Sequence, residues 1–518
     1  MAEAEVPEEI FRIVLGLSDN IPDKADHLDN CGAGLLRSFF KTNRKEDIDN
    51  CILAYESAIH LTPQDHSDMS RRLNMLGVSF YLRFKLAGDL TDISEAILYQ
   101  QEALLLTSEG HADMPGCLYN LVNSFQSRYE QTGDLADISN AISYQQKAVH
   151  LIPEGHADMP PGLFKLGIAF QNRFKCMGDL ADISNAISNL QKAVHLTPEG
   201  HASISGLLTN LGFAFRNRFE CMGDLADISD AISNLQKAVQ LTPKGHANIP
   251  NWLNNLGIAF VNRFEHTGDL ADIADAISNQ QKAVQLTPEG NANMPSWLNN
   301  LGIAYQNHFE HTGDLPDIAD AISYQQKAVH LTPEGHADMP ACLTNLGNSF
   351  QNRFKCTGDL SDIADAISNQ QKAVHLTPEG HASMPGRLNN LGIAYQNHFE
   401  HTGDLADIAD AIFCQQKAVH LTSEGHASMP CWLNNLGIAF LNRFEHTGDL
   451  LDISDAISNL QKAVHLTPEG HASMPGYLTS LGNAFKNHFE HTGDLTDIHT
   501  LLSIDHQCAT YASGSPST

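Results

Sequence analysis

Residues 433–470 read LNNLGIAFLNRFEHTGDLLDISDAISNLQKAVHLTPEG, which contains two amphipathic helix patterns in succession. In the first half, apolar residues recur at i, i+3, i+7 and i+11, the spacing of one helix face. They are Leu433, Leu436, Phe440 and Phe444. The second half has its own apolar stripe, made of Leu450, Ile453, Ala456, Ile457, Leu460, Ala463 and Val464. The stretch therefore predicts two helices, A and B, that pack against each other.

The residues between and after the two patterns predict where the helices end. Gly448 is expected to cap helix A, because glycine readily adopts the left-handed conformation of a helix C-cap. Asp449 is a favourable N-cap for helix B, and Asp452 puts negative charge at the positive end of that helix. Pro468 and Gly470 then end helix B. We expect an antiparallel helix pair.

The same pair is repeated along the chain at a fixed interval. The tripeptide GDL recurs every 45 residues without insertion, at Gly88, Gly133, Gly178, Gly223, Gly268, Gly313, Gly358, Gly403, Gly448 and Gly493. One interval earlier stands Asn43, which also tolerates a left-handed backbone. A fixed interval is the signature of a solenoid or a propeller. No alternating strand pattern is present, so the sequence predicts a solenoid.

The predicted fold class is all-α: a right-handed α-α superhelix of antiparallel helix pairs with a period of 45 residues. Residues 1–21 are expected to hold a capping helix, and 22–475 ten helix pairs. Residues 476–510 form a degenerate eleventh pair, in which Asp505 replaces an apolar residue, and 511–518 a flexible tail. Modified ends are expected because a terminal repeat has a neighbour on only one side.

Composition limits the classes of partner. The chain has 31 Lys and Arg against 61 Asp and Glu, a formal net charge of −30. Such a field repels phosphate backbones, so we expect no nucleic-acid partner. No apolar run is long enough to cross a membrane, and the acidic N-terminus lacks a signal peptide, so we expect a cytoplasmic protein without a membrane partner. The ten cysteines are scattered without a C-x-x-C pair, which indicates reduced, structural thiols.

The order of key residues resembles the tetratricopeptide (TPR) signature. One copy places these residues at Leu298, Leu301, Gly302, Tyr305, Ala321, Ala328 and Pro333. The TPR unit has 34 residues, so each copy here is longer. Gln325 and Leu460 also stand where TPRs often carry an aromatic residue. The resemblance implies a TPR-like solenoid in which A helices line the concave groove.

The longer copies, with TGDL and LTPEGH, resemble the repeat regions of fungal and bacterial proteins that end in a CHAT domain, a caspase-related protease fold. This resemblance implies an alternative function, as the sensor or regulatory arm of a CHAT-type protease whose catalytic domain is absent from this chain.

Two columns of asparagines follow helix A through the repeats. The first column stands just before a leucine that glycine follows in all copies but the first of these, and it is Asn120, Asn210, Asn255, Asn300, Asn345, Asn390 and Asn435. The second, seven residues later, is Asn172, Asn217, Asn262, Asn307, Asn352, Asn397, Asn442 and Asn487. An amide offers a donor and an acceptor, as a peptide bond does. The first column resembles the asparagine ladder in the TPR arm of O-linked N-acetylglucosamine transferase, which implies binding of an extended peptide backbone.

Three other interpretations of the asparagines stay open. They can bond to the adjacent repeat, or lie in solvent without a role. A carboxylate clamp for a C-terminal peptide end needs Lys and Arg beside Asn, and Lys165 and Arg216 are isolated examples. We expect the columns to bind a protein or peptide ligand in the groove of a non-enzymatic scaffold.

Histidines also recur, yet they form no distinctive catalytic or metal constellation. One column is His66, His111, His156, His201, His246, His336, His381, His426 and His471, with Asn291 in one copy. Three copies contain H-F-E-H, for example His308 and His311, but without the further ligand that a zinc site needs. We expect solvated or capping histidines, no catalytic residue, no metal and no cofactor.

Overall fold

A computed structural model describes residues 7–108, 110–153, 155–198, 200–423 and 425–513, which form α-helices and no strand. The helices are α1 (Pro7–Leu15), α2 (Lys24–Thr42), α3 (Lys45–His60), α4 (Met69–Ala87), α5 (Leu90–Leu106), α6 (Met114–Thr132), α7 (Leu135–Leu151), α8 (Met159–Met177), α9 (Leu180–Leu196), α10 (Ile204–Met222), α11 (Leu225–Leu241), α12 (Ile249–Thr267), α13 (Leu270–Leu286), α14 (Met294–Thr312), α15 (Leu315–Leu331), α16 (Met339–Thr357), α17 (Leu360–His375), α18 (Met384–Thr402), α19 (Leu405–His420), α20 (Met429–Thr447), α21 (Leu450–Leu466), α22 (Met474–Thr492) and α23 (Leu495–Ser513).

The helices after α1 alternate between A helices (even numbers) and B helices (odd numbers). Each A helix packs antiparallel on the B helix that follows it, and each B helix packs on the next A helix within its unit. The chain forms two compact units, residues 1–246 with α1–α11 and residues 247–518 with α12–α23. The predicted fold class, an all-α array of TPR-like antiparallel helix pairs, is confirmed.

The caps between A and B helices lie where the sequence predicts them. Gly268 has φ 67°, and its N–H donates to the Phe264 carbonyl at 2.7 Å. Asn43 takes the same role with φ 53°. On the other side of the turn, the Asp449 carboxylate accepts the Leu451 N–H at 3.0 Å. A two-residue turn with these caps reverses the chain direction at once.

A glycine in most A helices sets how closely the B helix approaches; α6 has Val122 there instead. A Cβ atom at Gly302 would lie 2.5 Å from Gln325 Cγ, and one at Gly437 would lie 2.6 Å from Leu460 Cγ. Only glycine fits at these crossings without a shift of the neighbour. The Gln or Leu that replaces the usual TPR aromatic residue therefore packs directly on the glycine.

An ion pair joins the two helices of most pairs. In α20 and α21, Arg443 Nε and Nη2 donate to the two carboxylate oxygens of Asp452 at 2.9 and 2.5 Å. The same arrangement joins Arg83–Asp92, Arg128–Asp137, Arg173–Asp182, Arg218–Asp227, Arg263–Asp272 and Arg353–Asp362. The aspartate therefore does more than complement the helix dipole, because it also ties helix B to helix A.

The two ends of the chain differ from the interior pairs. Phe11 of α1 is buried in the core of the first helix pair. In the last pair, Asp505 is exposed and Ile504 is buried instead, facing Gly482. Helix α23 continues to Ser513, beyond the predicted start of the tail at 511, and residues 514–518 lie outside the described part.

Candidate polypeptide-binding face of the A helices

Each A helix leaves one stripe of its surface open, and we call these stripes together the A-face. In α14 the stripe consists of Asn300, Ile303, Asn307 and Glu310, spaced by three or four residues. The first three are half-buried and Glu310 is exposed. Both predicted asparagine columns therefore lie on one face, and all the asparagines in them are half-buried.

Within each unit, amides of the first column cross to the preceding A helix. Asn300 Nδ2 donates to Asn254 Oδ1 at 3.1 Å. Equivalent bonds are Asn120 to Asn74 at 3.2 Å, Asn345 to Asn299 at 3.2 Å and Asn435 to Asn389 at 3.0 Å. These amides join neighbouring repeats.

The other amides of the first column make no such crossing. Asn210 donates to the Gly206 carbonyl at 2.9 Å, and Asn255 to the Asn251 carbonyl at 2.8 Å, each within its own helix. The side chain of Asn390 has no hydrogen-bond partner among the described residues. The column thus contains two kinds of amide, those that bond to the preceding repeat and those that do not.

The second column bonds to a glutamate of the preceding A helix. Asn352 Nδ2 donates to Glu310 Oε1 at 2.6 Å. The same bond joins Asn307 to Glu265, Asn442 to Glu400 and Asn487 to Glu445. In the copy with Lys355 in place of the glutamate, Asn397 Nδ2 is buried without a partner among the described residues. Asn172 and Asn217 have no described partner either.

These contacts favour the interpretation in which the asparagines bond between repeats, yet they leave acceptors unused. No described group donates to Oδ1 of Asn300, Asn345 or Asn435. A carbonyl oxygen has two lone pairs, and peptide N–H groups are suitable donors for it. Bonding between repeats therefore holds each amide in place with its acceptor still available.

An apolar column lies between the two asparagine columns, and sequence reasoning missed it. Its members, all half-buried, are Ile168, Phe213, Ile258, Ile303, Ile393 and Ile438. The signal was present, since each of these residues stands three positions after the first-column residue of its copy. The A-face therefore combines amides with apolar side chains, the two contacts that an extended polypeptide makes.

The two basic residues considered for a carboxylate clamp are occupied otherwise. Lys165 lies over the ring of Tyr119, with Nζ 3.9 Å from the centroid. Arg216 lies 3.3 Å from Glu220 and over the ring of Phe213. Burial lowers the pKa of the Arg216 guanidinium. Neither residue is arranged with an asparagine to hold a terminal carboxylate.

The first histidine column supports the turns that lead into the A helices. His336 Nδ1 accepts the N–H of Asp338 at 3.2 Å, and most other members do the same two residues on. Asn291 replaces histidine with its own Oδ1, which accepts the Asn293 N–H at 2.9 Å. The exchange of His for Asn is explained, because both residues supply an acceptor at this point.

The H-F-E-H histidines have two separate structural roles. His308 replaces the arginine of the A–B ion pair and lies 2.6 Å from Asp317. His311 packs edge-on against Phe264 with ring centroids 4.5 Å apart. In the other two copies, His398 and His488 likewise contact an aspartate. Among the described residues no group of three His, Cys, Asp or Glu side chains is arranged to hold a metal.

The cysteines are free thiols. Burial raises the pKa of Cys51 and Cys414 to about 11, which makes these thiols poor nucleophiles. Cys176, Cys221 and Cys356 are exposed. Within the described part of the chain, no helix is long and apolar enough to cross a membrane.

Several solved repeat structures are similar to this chain in fold. The sequence itself matches no protein-family profile and no curated protein. A monomeric mutant of IFIT1 with m7Gppp-AAAA is 14% identical and has a TM-score of 0.48, covering 90% of this chain and 94% of that one. A putative kinesin light chain of Podosopora anserina with nearly identical TPR-like repeats is 15% identical over 43% of this chain and 99% of that one, with a TM-score of 0.33. BtubC from P. vanneervenii is 17% identical over 48% and 98% of the two chains, with a TM-score of 0.36. These likenesses concern the fold alone.

Proposed function

We propose that the protein is a non-enzymatic scaffold that binds an extended polypeptide along the A-face. One observation carries this proposal: half-buried apolar residues alternate with amides whose oxygen atoms accept no described hydrogen bond. A polypeptide in extended form presents N–H groups and side chains at regular intervals, so it suits a surface that repeats. A cytoplasmic location belongs to the same proposal. No contact among the described residues favours the protease-arm alternative, which stays a prediction from resemblance.

A polypeptide fits this face better than a nucleic acid does. The net charge is −30, and exposed glutamates such as Glu265, Glu310, Glu400 and Glu445 border the second asparagine column. A phosphate backbone would have to approach these carboxylates, which repel it. The IFIT1 structures contain RNA, so an electrophoretic mobility shift with single-stranded RNA is a direct check; we expect no shift at physiological salt.

Affinity has to be shared among repeats. Each hydrogen bond contributes only about 0.5–1.5 kcal/mol net. Three repeat steps at helix-packing distances of roughly 10 Å span about 30 Å, which an extended dodecapeptide of about 40 Å can cover. A single asparagine change should therefore be nearly silent, and several together should not.

The proposal is tested with two double variants that remove different kinds of first-column amide. Peptides are first selected from a phage-displayed library of random dodecamers on the intact protein. Asn255→Ala/Asn390→Ala removes amides that make no bond between repeats. Asn300→Ala/Asn345→Ala removes two that do. Affinity for a selected peptide and the melting temperature are measured for both variants.

We expect the first double variant to lose affinity about ten-fold with little change in melting temperature. The second should lose both affinity and thermal stability, because two bonds between repeats disappear. If the first variant binds as tightly as the original protein while the second only melts earlier, the asparagines are purely structural and the proposal fails.

A further inference from the structure

One cavity breaks the regularity of the repeats. It has a volume of about 680 Å³ and lies between the N-terminal ends of α16, α18 and α20. Ala341, Asn345, Arg387, Asn390 and Trp432 are among its lining residues. Apart from the first two copies, the other copies have an uncharged residue at the position of Arg387, for example Leu207, Trp297 and Cys342. A cation therefore replaces a buried uncharged residue in this one cavity.

The first unit shows what an arginine at this repeat position binds. Arg72 stands seven repeats before Arg387 and is buried. Its guanidinium donates to Asp26 and to Thr62, and Asp68 lies 4.0 Å away. Here a buried cation has carboxylates beside it, as the cost of removing a charge from water requires.

Arg387 keeps the hydroxyl partner and has lost both carboxylates. Its Nη1 donates to Thr377 Oγ1 at 2.5 Å, the counterpart of the bond from Arg72 to Thr62. Ala341 and Ser383 stand where Asp26 and Asp68 stand in the first unit. No described carboxylate lies within ion-pair distance of Arg387.

We infer that this cavity is a subsite for a side-chain carboxylate, an Asp or Glu of the polypeptide bound along the A-face. The acidic group would lie where the Asp26 carboxylate lies beside Arg72, in the space left by Ala341. The identity of the carrier rests on the proposed function, whereas the carboxylate site itself rests on the comparison of Arg387 with Arg72.

Other lining groups suit an acceptor. Trp432 Nε1 is buried and has no hydrogen-bond partner among the described residues. The amide of Asn390 has no described partner either, so it is free to donate. His381 and His426 accept backbone N–H groups at Nδ1, which leaves Nε2 as the protonated nitrogen of each neutral ring. The cavity therefore offers several donors, whereas the described acidic side chains lie outside its lining.

The site is tested directly with N-acetyl-aspartate amide as the probe and N-acetyl-asparagine amide as its uncharged match. The protein has three tryptophans, so its indole N–H groups give three NMR signals, and Trp432→Phe assigns the one beside the cavity. We expect a saturable shift of that signal with the aspartate amide. Binding should weaken about ten-fold or more with the asparagine amide, and equally in Arg387→Gln. An equal response to both amides, or no response, overturns the inference, as does tighter binding of inorganic phosphate.

A second test rebuilds the pair found in the first unit. Ala341→Asp should raise the melting temperature more than Ala341→Asn and should abolish binding of the aspartate amide. Because an aspartate near a helix N-terminus is favourable by itself, both changes are repeated with Arg387→Gln. In that background the melting temperatures of Ala341→Asp and Ala341→Asn should differ by less. If the difference stays as large as with Arg387 present, the inference is overturned.

Failure of the carboxylate site and failure of the proposed function give different results. If the site is wrong, dodecamers are still selected, but without an acidic residue at a constant position and with equal affinity for Arg387→Gln. If the function is wrong, no dodecamer is selected, while the aspartate amide still binds at Arg387.

Discussion

Replacing Gln325 by leucine should stabilise the protein. The Gln325 side chain is fully buried, and neither its Nε2 nor its Oε1 has a partner among the described residues. Leucine already stands at the same repeat position in other copies, such as Leu460, where it packs on a glycine just as Gln325 packs on Gly302. Gln325→Leu therefore removes two buried polar groups without a change of shape that the fold has not accommodated elsewhere.

The size of the gain follows from the cost of an unpaired buried polar group, about 1–3 kcal/mol. We expect Gln325→Leu to raise the free energy of opening of α15 by roughly this amount. Native-state hydrogen exchange measures that free energy locally, which matters because a long repeat array need not unfold in a single step. Exchange of the α15 amides should slow by roughly 5- to 160-fold, since each 1.36 kcal/mol is a factor of ten.

Gln415→Leu is the matched control. Gln415 is also fully buried, but its Nε2 donates to Gln396 Oε1 at 2.6 Å. Its replacement leaves a buried acceptor without a donor, so the gain should vanish or turn into a loss. If both variants change exchange equally, or if Gln325→Leu accelerates it, the argument from unpaired amides is wrong.

Three further predictions concern caps and charge. Gly268→Val should destabilise its unit by about 1–3 kcal/mol because the backbone there has φ 67°, and Gly268→Asn should cost less, as Asn43 already occupies such a position; equal melting curves would contradict this. The backbone N–H of Ser361 holds the pKa of the Asp359 carboxyl below its ordinary value of about 3.9. A lowered folded-state pKa gives stability that is full above about pH 4 and is lost as the pH falls through the lowered value. Asp359→Ala should therefore lower the melting temperature at pH 7, and the deficit should shrink as the pH falls below 4; a deficit that stays unchanged in acid would speak against the cap. The formal net charge is −30, and acidification brings it closer to zero, so light scattering should rise between pH 7 and pH 5; unchanged scattering would refute this.

The helices and their ends could be predicted because the signals are local. Apolar spacing, Gly268 and Asp449 act within a few residues of their own position, and the structure confirms them. The contacts of the first histidine column are local too, since His336 accepts the N–H of Asp338 two residues on.

The partners of the asparagines could not be predicted in this way. Asn300 bonds to a residue 46 positions earlier, and Asn307 to one 42 positions earlier. Those offsets depend on how one A helix is shifted along the next, which no pattern within a single copy reveals. The sequence predicted which asparagines share one face of each A helix. The packing of one A helix along the next determines which side chains those asparagines contact.

The role of His308 could have been inferred with a different comparison. It stands where most copies carry an arginine, nine residues before an aspartate, so alignment of the copies points to an ion pair. The H-F-E-H pattern instead groups His308 with His311, which lies on the same helix but packs on Phe264.

The bonds between A helices also bear on how such a chain lengthens during evolution. Where such a bond forms, a repeat contributes a donor to the repeat before it and an acceptor to the repeat after it, as Asn300 and Asn299 do. Residues 299–315 and 389–405 are identical, so recombination between the corresponding gene segments would add or remove whole helix pairs in register. Most new junctions would carry the same chemistry as the old ones. Copy number is therefore a heritable variable that can change the length of the A-face while the fold stays intact.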